Sequence, residues 1–169
     1  MTSGDVDRTG EGGVMSTEHV QAWLDERGAG LRVIEPKAGT ATVDAAAAAL
    51  GVVPGQIAKT LAVRAGERVL LLVTRGDARL DNARFRAAFG AKPRMLAREE
   101  AEELTGQPVG GVSPFGHPEG VEICCDESLR AFDVVYPAGG SPSSAVRTTP
   151  DQLAELTGAA WVDVMKPVD

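Results

Sequence analysis

The chain has 169 residues, 43% of them apolar and 4% aromatic, and a formal net charge of −7, which suits one globular domain with a real core. No apolar run approaches the roughly 20 residues of a membrane helix, and the opening MTSGDVDRTGEGG lacks the basic and apolar regions of a secretory signal. The only two cysteines, Cys124 and Cys125, are neighbours that point to opposite faces of a strand; this argues against a shared metal or an ordinary disulfide and fits a reducing, cytoplasmic setting.

Taken in chain order, residues 1–15 form a Gly-rich polar tail expected to be disordered, with one domain over 16–169. Ser16 caps a helix running to about Arg27, where Gly28 ends it, and LRVIE (31–35) is a short strand. Thr42 caps an Ala-rich helix closed by Gly51. Pro54-Gly55 then turns the chain into a strand, and GERVLLLVTRGD is its hairpin partner across Ala65-Gly66. Asp81 caps a helix ended by Gly90, a short strand RML precedes a helix over about 98–104, and a long glycine-rich loop follows. VEICCD is a strand, DESLRAF a short helix or turn, and DVVYPA and SAVRTT are extended. Pro150 opens the last helix, and AAWVDVM makes the final strand. Strands outnumber crossover-sized helices, so the expected class is α+β: a curved, mostly antiparallel, barrel-like sheet with flanking helices.

One residue breaks the pattern. In GQIAKTLAVR, period-two alternation puts Ile57, Lys59, Leu61 and Val63 on one face, so Lys59 shares the large apolar face. An ammonium in an apolar interior costs several kcal/mol unless something answers it. Its stem can snorkel to the surface, or its head can face a cleft.

Two glycine-rich loops bear on that choice. PVGGVSPFGHPEG (108–120) places three glycines, a Ser-Pro pair and one of the two histidines between Gly110 and His117, and its backbone N–H groups can approach a ligand closely. AGGSPSSA (138–145) lies between two strands and can wall a cleft over the Lys59 face. Either loop can instead serve turn geometry alone. Ser113 is a poor nucleophile candidate, because the residue after an elbow serine must donate its N–H to the oxyanion and Pro114 has none. His19, in the first helix, is expected to face solvent. No phosphate loop, dinucleotide fingerprint or metal-ligand spacing is present, and no cofactor is expected.

The acidic total conceals a basic block. Residues 59–98 carry ten Lys/Arg against three Asp/Glu (Lys59, Arg64, Arg68, Arg75, Arg79, Arg84, Arg86, Lys92, Arg94 and Arg98), whereas the flanking segments carry −4 and −10. Such a block can face phosphates on an otherwise acidic protein, or merely solvate two outer faces.

Taken together, IAKTLAVR with Lys59, TGQPVGGVSPFGH (105–117) and AGGSPSSAVRTTPDQLAELTG (138–158) resemble, in order and spacing, the YbaK / prolyl-tRNA synthetase editing-domain family over roughly residues 17–165. The resemblance implies a free-standing hydrolase acting on the ester of mischarged aminoacyl-tRNA, with no metal. Expected partners are the acceptor end of tRNA and, in addition, a synthetase. It places the family's strand lysine on Lys59 and its glycine-loop contacts on Gly110, Gly111 and Ser113, with Gly111 supplying a catalytic backbone N–H. Thr60, Phe115, His117, Gly139 and Ser141 complete the expected substrate contacts. The third loop, GGSPSSAVR, departs from the Lys/Arg-containing version of the cysteinyl-tRNA deacylases, which argues against Cys-tRNA, and the resemblance then implies alanine or another small amino acid on tRNA-Pro or a related tRNA. A non-catalytic tRNA-binding or synthetase-associated module using the same cleft is the competing reading.

Overall fold

The computed structural model describes residues 16–36, 42–105, 112–117, 121–141 and 143–168. The expected disordered tail, Gly110 and Gly111 lie outside the described residues.

Helix α1 (Thr17–Glu26) starts where Ser16 Oγ accepts the His19 N–H, and it buries Val20 and Leu24. After β1 (Val33–Ile34), Thr42 caps α2 (Val43–Leu50) through the Ala45 N–H, and Gly51 ends it in the left-handed region at φ 72°. A single turn of 3-10 helix (Pro54–Gln56) leads into β2 (Ile57–Ala65), which pairs along its length with β3 (Arg68–Arg75) in an antiparallel hairpin. The hairpin turn falls at Gly66-Glu67, one residue later than the sequence implied, because Ala65 still pairs with Arg68 and Gly66 takes φ 62°. Next come α3 (Asn82–Phe89), β4 (Pro93–Met95), α4 (Arg98–Thr105) and β5 (Glu122–Asp126). A 3-10 segment (Glu127–Ala131), β6 (Tyr136–Pro137), β7 (Ala145–Val146), α5 (Pro150–Thr157) and β8 (Ala160–Val162) complete the order.

The main sheet runs β4-β2-β3-β5-β8, with β6 also alongside β2, and β1 pairs separately with β7. The class is mixed α+β, as expected, and antiparallel ladders from β2 to β3 and β4 hold the greater part of the sheet's paired positions. Two features differ from the expectation. The sheet is open and not barrel-like: β4 and β8 end it, each only three residues long, and they do not meet. Also, β3–β5, β5–β8 and β2–β6 are parallel. Parallel neighbours need long crossovers, and both the β3-to-β5 and β5-to-β8 connections contain helices.

The sheet has a core on each face. On one, Ala58, Val73 and Cys125 pack with Val20, Leu24, Phe115, Leu129, Val146 and Leu153; on the other, Val63, Leu70, Leu72 and Cys124 pack with Phe85, Val164 and Met165. The adjacent cysteines are thus split between faces, as alternation requires.

The two edges of β2 differ, and this creates the site. On one edge β3 pairs from Ala58 to Ala65. On the other, β6 takes Ile57 and Ala58 while β4 takes Val63 to Ala65, so residues 59–62 have no strand partner there among the described residues. At the end of the hairpin, Gly76 fits against the 3-10 turn so closely that a Cβ would stand 2.5 Å from Pro54 O, 2.7 Å from Val43 Cγ1 and 2.9 Å from Ile57 O. Two of these are backbone atoms that cannot yield cheaply. Gly76→Ala should therefore destabilise the fold by about 1–3 kcal/mol, read as a lowered denaturant midpoint; an unchanged midpoint would contradict this packing.

Candidate functional site

A cavity of about 240 Å³ opens beside the unpaired stretch of β2. Its walls come from Val43 and Ala46 of α2, Ile57 to Leu61 of β2, Val112, Tyr136, and Ala138, Ser144 and Ala145 of the third loop and β7. The lining is mainly apolar, with few polar groups, as in most small-molecule sites.

Lys59 shares its face of the hairpin with Leu61, Val63, Leu70 and Leu72, and its cross-strand partner is Thr74. It is half-buried and forms part of the cavity wall. Its Nζ donates to Ala78 O at 2.7 Å, which occupies one of three ammonium hydrogens. Burial lowers the Lys59 pKa from the ordinary 10.5; the Asp77 carboxylate opposes that shift, and Arg79 adds to it. Asp77 is itself committed elsewhere. Arg75 donates from Nε to Oδ1 at 2.5 Å and from Nη2 to Oδ2 at 2.9 Å, holding the Asp77 carboxyl below its usual range. The Arg75 fork leaves Lys59 without a direct carboxylate partner among the described residues. Thr60 adds a second polar group to the cavity wall, and its Oγ1 is buried with no hydrogen-bond partner among the described residues.

Segment 112–117 is folded on itself. Ser113 is fully buried, its Oγ accepts the Phe115 N–H at 3.2 Å, and its carbonyl lies 2.5 Å from His117 Nε2. Burial holds His117 below the ordinary histidine range, against the raising effect of the Ser113 carbonyl. Phe115 is 0% exposed and packs in the core, its ring 5.8 Å from that of Trp23. Val112 is the one residue of this segment on the cavity wall. Ser113, Phe115 and His117 hold the segment's shape and are not on that wall.

In the third loop Gly139 is buried against Val33, leaving 2.7 Å between a notional Cβ and Val33 Cγ1. Ser141 and Ser144 bond reciprocally, with Ser141 N to Ser144 Oγ and Ser144 Oγ to Ser141 O both at 3.0 Å. Ser144 reaches the cavity wall; Gly139 and Ser141 shape the loop behind it. Val112 and Ser144 lie in the two loops expected to wall a cleft but were not singled out there, and Tyr136 escaped the sequence reading. Tyr136 is the only tyrosine in the chain, which is a faint signal by itself.

The basic block separates into two sets. Arg64 pairs with Glu100, Arg68 with Glu122, Arg75 with Asp77, and Arg84 with Asp81 and Asp163. Arg79, Arg86, Lys92, Arg94 and Arg98 are exposed and make no ion pair among the described residues. Burial pushes Cys124 up to about 11 and Cys125 up to about 12, so both stay thiols at neutral pH. Among the described residues no group of three or more His, Cys, Asp or Glu can hold a metal, and no helix is long and apolar enough to cross a membrane.

The Lys59 environment has a measurable consequence. Side-chain NMR titration should place the Lys59 ammonium midpoint below 10.5, because burial outweighs the neutralised Asp77. A midpoint at or above that value would mean that Asp77 acts on Lys59 as a full counter-charge.

Comparison with known proteins adds an independent line. The model of the family described as aminoacyl-tRNA editing domain matches residues 37–156. The chain is 44% identical over 136 residues to the uncharacterized protein YwhH of Bacillus subtilis (strain 168), covering 79% of this chain and 87% of that protein. It is 32% identical over 135 residues to a proline–tRNA ligase of Thermotoga sp. (strain RQ2), again over 79% of this chain but only 23% of the ligase. Among solved structures, one described as a "putative trans-editing enzyme for prolyl tRNA synthetase" superposes with TM-score 0.82 at 38% identity, covering 89% of this chain and 97% of that one. The chain belongs to the aminoacyl-tRNA editing domain family.

Proposed function

We propose that the protein is a trans-editing aminoacyl-tRNA deacylase that hydrolyses the ester of a small amino acid mischarged on tRNA-Pro or a related tRNA. The observation that carries this reading is a half-buried lysine on the wall of a small apolar cavity at the gap along β2, with Thr60 on the same wall and its hydroxyl without a partner among the described residues. A space of about 240 Å³ suits an aminoacyl group better than a whole nucleotide.

The chemistry fits residues of this kind. An aminoacyl ester is already activated, so positioning and charge stabilisation matter more than a protein nucleophile. Water attacks the carbonyl carbon, and the bond from that carbon to the ribose oxygen breaks. The ribose oxygen takes a proton, releasing the free amino acid and tRNA. Two hydrogens of the Lys59 ammonium remain for a phosphate or carbonyl oxygen at the terminal adenosine. Thr60 Oγ1 gains a hydrogen-bond partner when the aminoacyl group enters. The Gly110-Gly111 backbone N–H groups are assigned to the developing oxyanion on the family resemblance. Buried Ser113, its hydroxyl already accepting the Phe115 N–H, is not needed as a nucleophile.

The acceptor strand is assigned to the unpaired cations. Strand β4 lies on the same edge of β2 as the cavity, with Arg94 within it and Lys92 just before it. Arg94 pairs in register with Arg64, about 17 Å along β2 from Lys59. The ion-paired arginines are left out of this surface.

Two outcomes test the proposal. Lys59→Ala should lower deacylation at least a hundredfold while leaving the fold intact. The assay is a panel of Ala-, Ser-, Cys- and Thr-charged tRNAs that includes mischarged tRNA-Pro. Unchanged turnover by the variant would contradict the assignment, and no turnover of any substrate by the unaltered protein would favour a binding module. Lys92→Ala and Arg94→Ala should each weaken tRNA binding and lower the slope of log affinity against log salt by about 1. An unchanged slope would place the tRNA on another face.

A further inference from the structure

Helix α1 lies outside residues 37–156, the part of the chain that the family model matches. It nevertheless touches both loops beside the cavity. His19 Nε2 is 3.1 Å from Gly116 O, and the Trp23 ring stands 5.8 Å from that of Phe115. On the other side, Gly140 packs so tightly against α1 that a Cβ would come within 2.7 Å of Ser16 O and 3.0 Å of Val20 Cγ2. The helix is a firm support, since Val20 and Leu24 are 0% exposed in the core.

The two histidines divide the work in segment 112–117. His117 bonds within the segment, to Ser113 O, and so fixes its internal shape. His19 bonds from outside, and so fixes where the segment sits relative to the body of the protein. Gly116 takes φ 83°, a conformation that favours glycine, and its carbonyl meets the His19 ring. Val112, which lines the same cavity as Lys59 and Thr60, belongs to this same short segment.

We infer that His19 is a positioning residue for hydrolysis: by donating from Nε2 to the Gly116 carbonyl, it fixes segment 112–117, and with it the Val112 wall of the cavity, against α1. This rests on the reading of the cavity as the hydrolytic site. The His19 ring is exposed, so its removal opens no hole in the core. The segment's own contacts through Phe115 survive its loss, which makes the expected effect one of placement and not of unfolding.

The test uses the full chain with His19→Ala and His19→Gln, the glutamine amide N–H standing in for the imidazole Nε2–H. Amide hydrogen exchange across 112–117 and steady-state deacylation of mischarged tRNA are measured on both variants and on the unaltered protein. His19→Ala should speed exchange in that segment and lower kcat roughly threefold to tenfold, with KM within about twofold, the scale of one lost hydrogen bond. His19→Gln should restore both. Unchanged exchange and kcat in His19→Ala, or failure of glutamine to rescue either, would overturn the inference. Because exchange is read without substrate, a protein that proves inactive overturns the hydrolase reading separately from the anchoring of the segment.

Discussion

Everything about the cavity depends on an ammonium held partly out of water at a gap in a sheet. Placing Lys59 on the face that carries Leu61, Val63 and Leu72 is costly unless its charge is answered. The answer in the structure is incomplete. One hydrogen goes to Ala78 O, and the nearby Asp77 carboxylate is tied up by the Arg75 fork. The gap exists because β6 and β4 cover only the two ends of one edge of β2. A longer strand on either side would close the site and leave the lysine facing a ladder.

The walls around this point are set by fixed geometry. Gly139 and Gly140 let the third loop approach Val33 and α1 more closely than a side chain would allow. Ser141 and Ser144 lock that loop's turn, while Ser113 and His117 lock the turn of segment 112–117. These polar side chains serve the walls, which leaves Lys59 and Thr60 as the polar side chains from β2 in a mainly apolar cavity. Positioning plus charge is a sufficient toolkit for an activated ester and a poor one for an amide. That distinction is why a cavity with no His, Cys, Asp or Glu among its described lining residues suits the proposed ester hydrolysis.

The sequence made some of this plain. Ser16, Thr42 and Asp81 cap helices, and Gly51 and Gly90 end them in the left-handed region, because caps are local chemistry; the Thr149 cap and the Gly158 end of the last helix emerge only in the structure. The β2–β3 hairpin and the misplaced lysine were visible in period-two alternation. The parallel neighbours of β5 were not, since VEICCD reads the same whichever way its partners run, and only tertiary packing decides. Val112 and Ser144 lie in the two glycine-rich loops that the sequence offered as walls, but nothing local singles out either residue, and Tyr136 reaches the cavity through β6, which carried no such signal. His19 was read as a solvent-facing helix residue. Its ring is exposed, but a partner 97 positions away gives it a bond that no window of sequence contains.

The most direct measurement of the central claim is an NMR titration with a non-hydrolysable, amide-linked alanyl-adenosine. The account predicts saturable backbone shifts at Lys59, Thr60, Val112, Ala138 and Ser144, the residues that bound the cavity. Saturable binding with shifts centred elsewhere, and none at Lys59 or Thr60, would contradict it.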